Sequence, residues 1–194
     1  MKNQDLKQKY DKVFKDGSDN FFTCNIFHEA HTIVGAEEWS SKRVMDVGCG
    51  EGILPTMIAH AGAEYVVGVD YSSEAIANAN NKFDIPNLQF ICDDYRVVEG
   101  KFDVITMQGV MEHLDSPWEE LENMIENHLE NTGSLITSSP SFINPRGYVW
   151  MTLVKLFDVP MSLTDLHFIC PFDMEEFCAR KGYKLQYKSI HQDW

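Results

Sequence analysis

The hydrophobic rhythm of the chain changes twice along its length. Up to residue 43 the apolar positions recur at helical spacing. Leu6, Tyr10, Val13 and Phe14 form one stripe, and Phe21, Phe22, Ile26, Phe27, Ala30 and Val34 form a second. From residue 44 to 140, short apolar and β-branched runs alternate with helical patterns. Val44–Val47, Tyr65–Val69, Leu88–Cys92, Val104–Met107 and Ser134–Thr137 each predict a short buried strand. From residue 141 an aromatic, proline-punctuated stretch leads into a helix and then an alternating run, Lys184–Ile190, that predicts a sixth strand.

Polar and special residues punctuate these runs. Pro55 fits the first turn of the helix after the first strand, and Ser72 and Ser73 can cap the helix carrying Ala75, Ile76 and Ala79. Ser116-Pro117-Trp118-Glu119 predicts a capping box, with Gly133 ending the helix that carries Trp118, Leu121, Ile125 and Leu129. Asp173-Met174-Glu175-Glu176 predicts another, with Phe172 and Phe177 as its hydrophobic staple and Gly182 as its stop. Strands alternating with helices imply an α/β fold with a doubly wound, mostly parallel sheet and ligands at the carboxyl ends of its strands.

Composition narrows the function. At 194 residues the chain predicts one domain. We divide it into a helical cap (1–43), a core (44–140), an insert (141–170) and a final helix and strand (171–194). Sixteen basic against thirty acidic residues give a net charge of −14, which disfavours nucleic acid and anionic lipid as partners. No apolar run approaches the ~20 residues of a membrane span, and the polar start of the chain carries no secretory signature. The five cysteines are odd in number and none are spaced as CxxC, so a disulfide framework or structural zinc is poorly supported. A cytoplasmic location fits best.

The most informative segment is Val44-Met45-Asp46-Val47-Gly48-Cys49-Gly50-Glu51-Gly52, an apolar strand running into three alternating glycines. Glycine admits positive φ and lets a ligand press on bare backbone, and the helix behind offers unpaired N–H groups to an anion. The spacing is G-x-G-x-G, which departs from the G-x-G-x-x-G of dinucleotide folds. Asp46 precedes the glycines. Asp70 ends the second strand, where an acid can accept from ribose hydroxyls, and Asp93 follows the third.

From Arg43 to Pro140 these residues resemble the class I S-adenosylmethionine-dependent methyltransferases, nearest in look to the small-molecule enzymes of the ubiquinone-biosynthesis type. Asp46–Gly52 matches the family's first motif, Gly68-Val69-Asp70-Tyr71-Ser72 its ribose-binding acid, and Cys92-Asp93-Asp94 its adenine-binding segment. Phe102–Ile105 with Val110-Met111-Glu112-His113-Leu114 matches its fourth strand and following turn. The resemblance implies S-adenosylmethionine as cofactor and S-adenosylhomocysteine as product. It places Gly48, Cys49, Gly50 and Gly52 near the methionine end, with Gln108 and, in one of two roles, Asp46. Asp70 goes to the ribose, with Ser72 after it also on the cofactor side, Tyr71 against adenine, and Asp93 to the adenine amino group with Asp94 or Tyr95 beside it. The Asn/Asp-Pro-Pro-Tyr/Phe tetrapeptide of amide and nucleobase N-methylation is absent.

The chemistry implied is transfer to an oxygen or nitrogen of a small molecule, which requires alignment and, for a weakly acidic hydroxyl, a base. His167, in Leu166–Phe172, resembles a position that often faces the acceptor, and His113 sits in the turn after the fourth strand. Phe27, His31, Arg146 and Tyr148 are the expected acceptor-side residues, drawn from the cap and the insert. No metal is expected. A catalytically silent cofactor-binding partner and a protein methyltransferase are the alternatives. The family's sheet has seven strands, the last two an antiparallel hairpin. The four residues after Ile190 are too few for a seventh, so the expectation is a missing or truncated strand and an edge open to a homodimer.

Overall fold

A computed structural model describes residues 3–16, 26–140, 145–157 and 166–190. Two helices, α1 (Asn3–Asp16) and α2 (Ile26–Val34), precede a five-stranded sheet. Its strands are β1 (Arg43–Val47), β2 (Tyr65–Asp70), β3 (Leu88–Cys92), β4 (Phe102–Gln108) and β5 (Leu129–Ser138). Between them run α3 (Ile53–His60), α4 (Ser73–Lys82) and α5 (Pro117–His128), followed by α6 (Pro145–Phe157) and α7 (Pro171–Lys181). All pairings are parallel, in the order β3-β2-β1-β4-β5.

The period of two along each strand builds two cores. Met45, Val47, Val67, Val69, Ile105 and Met107 point to the side packed by Leu121 and Met124 of α5 and Phe177 of α7. Val44, Val66 and Val104 point to the other side, against Ala30 and Ile33 of α2 and Leu54 and Ile58 of α3. Burial on both faces is why these strands lack a polar alternation.

Ser72 caps α4 as expected, its oxygen accepting from Ala75 N, and Gly182 ends α7 with φ 74°. Four expectations are corrected. Ser116 starts α5 but makes no side-chain cap, because Pro117 already fixes the first turn. Gly133 does not end α5, which stops at His128. The glycine lies inside β5, where a side chain would meet the Asp103 carbonyl at 2.8 Å. The box of α7 is Cys170 with Asp173, shifted toward Pro171, and Phe172 is too exposed to staple anything. Lys184–Ile190 forms no strand. Alternation gives a run strand propensity, but a ladder needs a paired neighbour, and none of the described residues supplies one. Among the described residues the sheet edge beyond β4 is therefore that of β5. Among the described residues no helix is long and apolar enough to cross a membrane.

Candidate functional site

The register sets the floor of the site. Asp46 of β1 lies opposite Thr106 of β4 and Gly68 of β2. Thr106 Oγ1 donates to Asp46 Oδ1 at 2.6 Å, and both residues are buried. Desolvation, partly offset by that bond, raises the Asp46 pKa to about 7.

Above Asp46 the glycine loop is tied down by its backbone. Gly48 N and Cys49 N both donate to the Val69 carbonyl, at 2.8 and 3.1 Å. Gly50 N donates to Asp70 Oδ2 at 2.9 Å. Gly48, Gly50 and Gly52 have φ of 72°, 51° and 83°, the left-handed region that favours glycine. Packing adds to the demand, since a Cβ on Gly52 would lie 2.5 Å from the Phe90 ring. Glu51 anchors the loop to α4, accepting from Asn78 and Lys82 at 2.8 Å each.

Asp70 ends β2 with its carboxylate held at both oxygens, by Gly50 N and, at 2.8 Å, by Ser72 N. Burial pushes its pKa up, and these two donors pull the other way. Beside it, Tyr71 donates to Asp94 Oδ2 at 3.1 Å, and Arg96 Nη1 donates to the same oxygen at 2.7 Å. Asp93 is exposed at the end of β3, its Oδ1 accepting from Asp94 N at 2.7 Å.

A second group of contacts forms around the turn after β4. Glu112 is buried, and its Oε2 accepts from Ser139 Oγ at 2.9 Å. Its carbonyl accepts from Leu166 N at 2.7 Å and His167 N at 3.2 Å, which docks the start of the Leu166–Phe172 segment on the turn. His113 follows directly, its Nε2 4.0 Å from Glu112 Oε1. His167 Nε2 is buried with no hydrogen-bond partner among the described residues. Gln108 Nε2 donates to the Ile26 carbonyl and to Glu29 Oε2, both at 3.0 Å, which fixes the start of α2 at the end of β4.

Helix α1 crosses the carboxyl ends of the strands. Ser72 Oγ donates to Asp11 Oδ1 at 2.7 Å after β2, and the Phe14 ring reaches 3.5 Å from the position of a Cβ on Gly50 after β1. After β4 the Tyr10 ring meets His113 edge-on, with centroids 5.9 Å apart.

Residues 25–184 match the methyltransferase-domain family. The chain belongs to the class I S-adenosylmethionine-dependent methyltransferases. It is 30% identical over 161 residues to a ubiquinone biosynthesis O-methyltransferase of Neisseria meningitidis serogroup C (strain 053442), covering 77% of this chain and 67% of that one. A histidine protein methyltransferase 1 homolog of Dictyostelium discoideum is 28% identical over 138 residues, covering 66% of this chain and 44% of that one. Among solved structures, magnesium protoporphyrin IX methyltransferase from Synechocystis PCC 6803 superposes with a TM-score of 0.75. It shares 16% identity and covers 99% of this chain and 94% of that one.

In this methyltransferase the structure gathers Asp46, the three glycines, Asp70, Ser72 and Asp93 at the carboxyl edge of β1–β3. The other expected residues are engaged as follows. The Cys49 side chain is buried, its Sγ 3.0 Å from where a Cβ on Gly68 would stand and donating to the Gly50 carbonyl at 3.7 Å. Tyr95 is buried too, donating to Glu120 and Asn123 of α5. Asp94 is engaged by Tyr71 and Arg96, and Gln108 by α2. Phe27 and Tyr148 are exposed, and His31 is an exposed residue bonding back to the Phe27 carbonyl at 2.6 Å. The expectations for Phe21 and Phe22 and for the side chain of Arg146 lie outside the described residues. Tyr10, Asp11, Phe14, Thr106, Glu112 and Ser139 enter the site unforeseen. The α1 stripe and a capping place for this segment were expected from the sequence, but the individual residues it brings to the strand ends were not. Among the described residues no group of three or more His, Cys, Asp or Glu could hold a metal.

Proposed function

We propose that this methyltransferase transfers a methyl group to an oxygen of a small molecule, with a nitrogen as the alternative acceptor atom, and that it works in the cytoplasm. The observation that carries this reading is His167 Nε2, buried without a partner beside the turn after β4. An unmade hydrogen bond on a buried nitrogen costs about 1–3 kcal/mol, and an acceptor hydroxyl would relieve it.

The residues present fit the cofactor. Three glycines with positive φ leave bare backbone for its methionine end, and two acids stand at the strand ends for its sugar and base. When bound, S-adenosylmethionine supplies a methyl group already activated by a sulfonium. Asp70 keeps lone pairs free for the ribose hydroxyls, since a carboxylate offers about four acceptor positions and two are taken by amides. Asp93 accepts from the adenine amino group. With the cofactor bound, His167 would take the proton from the acceptor hydroxyl as that oxygen is methylated. His113, half-buried between Glu112 and Tyr10, borders the same space.

The kinship to a ubiquinone biosynthesis O-methyltransferase supports the oxygen acceptor. A protein acceptor is the second reading, favoured by the −14 charge, which suits basic peptides, and by the histidine protein methyltransferase homolog. Radiolabelled methyl transfer from S-adenosylmethionine to a panel of phenols, catechols, amines and basic peptides separates the two. Labelling of a phenol or catechol is expected. Labelling confined to peptides would replace this reading with the second, and cofactor binding without any transfer would point to a silent partner subunit.

A further inference from the structure

The ends of β2 and β3 are joined to α5 by a side-chain network that methyl transfer itself does not use. Arg96 is at its centre. Its backbone N donates to Asp94 Oδ1 at 2.9 Å, and its Nη1 donates to Oδ2 of the same carboxylate at 2.7 Å. Its Nη2 donates to Glu120 Oε1 on α5, and the guanidinium carbon lies 5.1 Å from the centroid of the Tyr95 ring. Tyr95 in turn donates to Glu120 and, at 3.1 Å, to Asn123 Oδ1. The Tyr71 hydroxyl completes the set on Asp94.

Asp94 therefore spends its carboxylate on three donors. Its neighbour Asp93 is exposed, and among the described residues it accepts a single hydrogen bond, from the Asp94 backbone. The Arg96 side chain is 45% exposed, and ion pairs so open to water add little to stability. What the planar fork does supply is direction. It fixes Asp94, and through Asp94 it fixes both the outer end of the Tyr71 ring and the amide that orients Asp93.

We propose that Arg96 is a positioning residue for purine recognition: by locking Asp94 it holds the Tyr71 ring and the Asp93 carboxylate in the one arrangement that selects a 6-aminopurine over a 6-oxopurine. This rests on the placement of ribose at Asp70 and adenine at Asp93. A carboxylate fixed at the purine 6-position accepts from an amino group and repels a carbonyl oxygen there. The 6-oxopurine carries a donor one atom away, on N1. A carboxylate free to swing can follow that donor, whereas a fixed one cannot. Selectivity therefore comes from rigidity, through a partner left unpaired by the wrong base.

Isothermal titration of S-adenosylhomocysteine and S-inosylhomocysteine against the wild-type chain and the Arg96→Gln, Arg96→Lys and Asp70→Ala variants tests this. The wild type should prefer the adenosyl ligand by more than about tenfold. Arg96→Gln should bring the two affinities within about threefold of each other, mainly by tightening the inosyl ligand relative to the adenosyl one. Arg96→Lys, which reaches one carboxylate at a time, should fall between. Thermal melting of all variants checks that they fold. Asp70→Ala should weaken both ligands by more than about tenfold and keep their ratio. An unchanged affinity there would overturn the ribose placement separately. A wild type that binds both ligands equally, or an Arg96→Gln variant that weakens both by one common factor, would overturn the role of Arg96.

Discussion

Thr106 on β4 donates its hydroxyl to Asp46 on β1 at 2.6 Å, across two strands buried on both faces. Burial, only partly offset by this bond, leaves Asp46 an acid whose charge is disfavoured in the folded state, with its pKa raised from 3.8 to about 7. Between those values the folded chain holds a proton that the unfolded chain has released. The associated stability is complete below the unfolded value and is lost as pH rises through about 7. Asp46→Asn removes that dependence. In urea melts at pH 4, 5.5 and 7.5, the variant should gain on the wild type as pH rises. The difference should be near zero at pH 4 and on the order of 1–4 kcal/mol at pH 7.5. A constant difference at all three pH values would refute the raised pKa.

Gly52 combines two constraints that a substitution separates. Its φ of 83° strains any side chain, and a Cβ would lie 2.5 Å from the Phe90 ring. Gly52→Ala should cost at least about 2 kcal/mol by chemical denaturation, from backbone strain and overpacking together. In a Gly52→Ala background, Phe90→Leu should recover more stability than the same change costs in the wild type. It should not restore the whole loss, because the backbone term remains. Full recovery would mean that φ contributes nothing.

The glycine loop and its acids were legible because three signals coincide there: an apolar strand too short for a helix, glycines at fixed spacing, and an acid ending the next strand. Each fixes the backbone, and the backbone carries the site. Side-chain direction was not legible. Tyr95 follows two aspartates in a short turn, and its burial against Glu120 and Asn123 depends on α5, which begins more than twenty residues later. Gln108 stands where the strand meets the ligand edge, yet its amide is used on α2, a long-range pairing that no local pattern contains. Gly133 was misread because glycine stops helices and also permits close strand packing, and the nearby Asp103 carbonyl decides between the two. Lys184–Ile190 alternates like a strand, but alternation cannot provide the neighbour a ladder needs.

His167 is held by its own backbone, which donates to the Glu112 carbonyl, so removing its ring leaves the segment docked. His167→Ala should lower turnover on the phenolic or catechol acceptor by about 100-fold or more, the usual range for a positioned base. Affinity for S-adenosylhomocysteine should stay within about twofold. Steady-state kinetics with the acceptor found in the panel, together with titration of the product, supplies both numbers. Full turnover would remove His167 as the base and leave His113 as the candidate.

Asp11 and Phe14 together make α1 part of the site. The helix has 14 residues, about the length at which an isolated helix is marginal in water, so its order depends on docking. Among the contacts that dock it are the charge-assisted bond from Ser72 to Asp11, worth about 1.5–3 kcal/mol, the buried Phe14 ring against the loop at Gly50, and the Tyr10 ring against His113. Asp11→Ala should raise amide exchange over residues 3–16 by more than about tenfold and leave β1 and β4 protected, because loss of the latch opens α1 without opening the sheet. Phe14→Ala should do the same and also speed release of S-adenosylhomocysteine in stopped-flow experiments if, as proposed, the glycine-loop backbone beside the ring holds the cofactor's methionine end. Exchange that rises equally across the whole chain would mean that α1 unfolds with the core. Release at the wild-type rate would mean that the helix does not cover the cofactor.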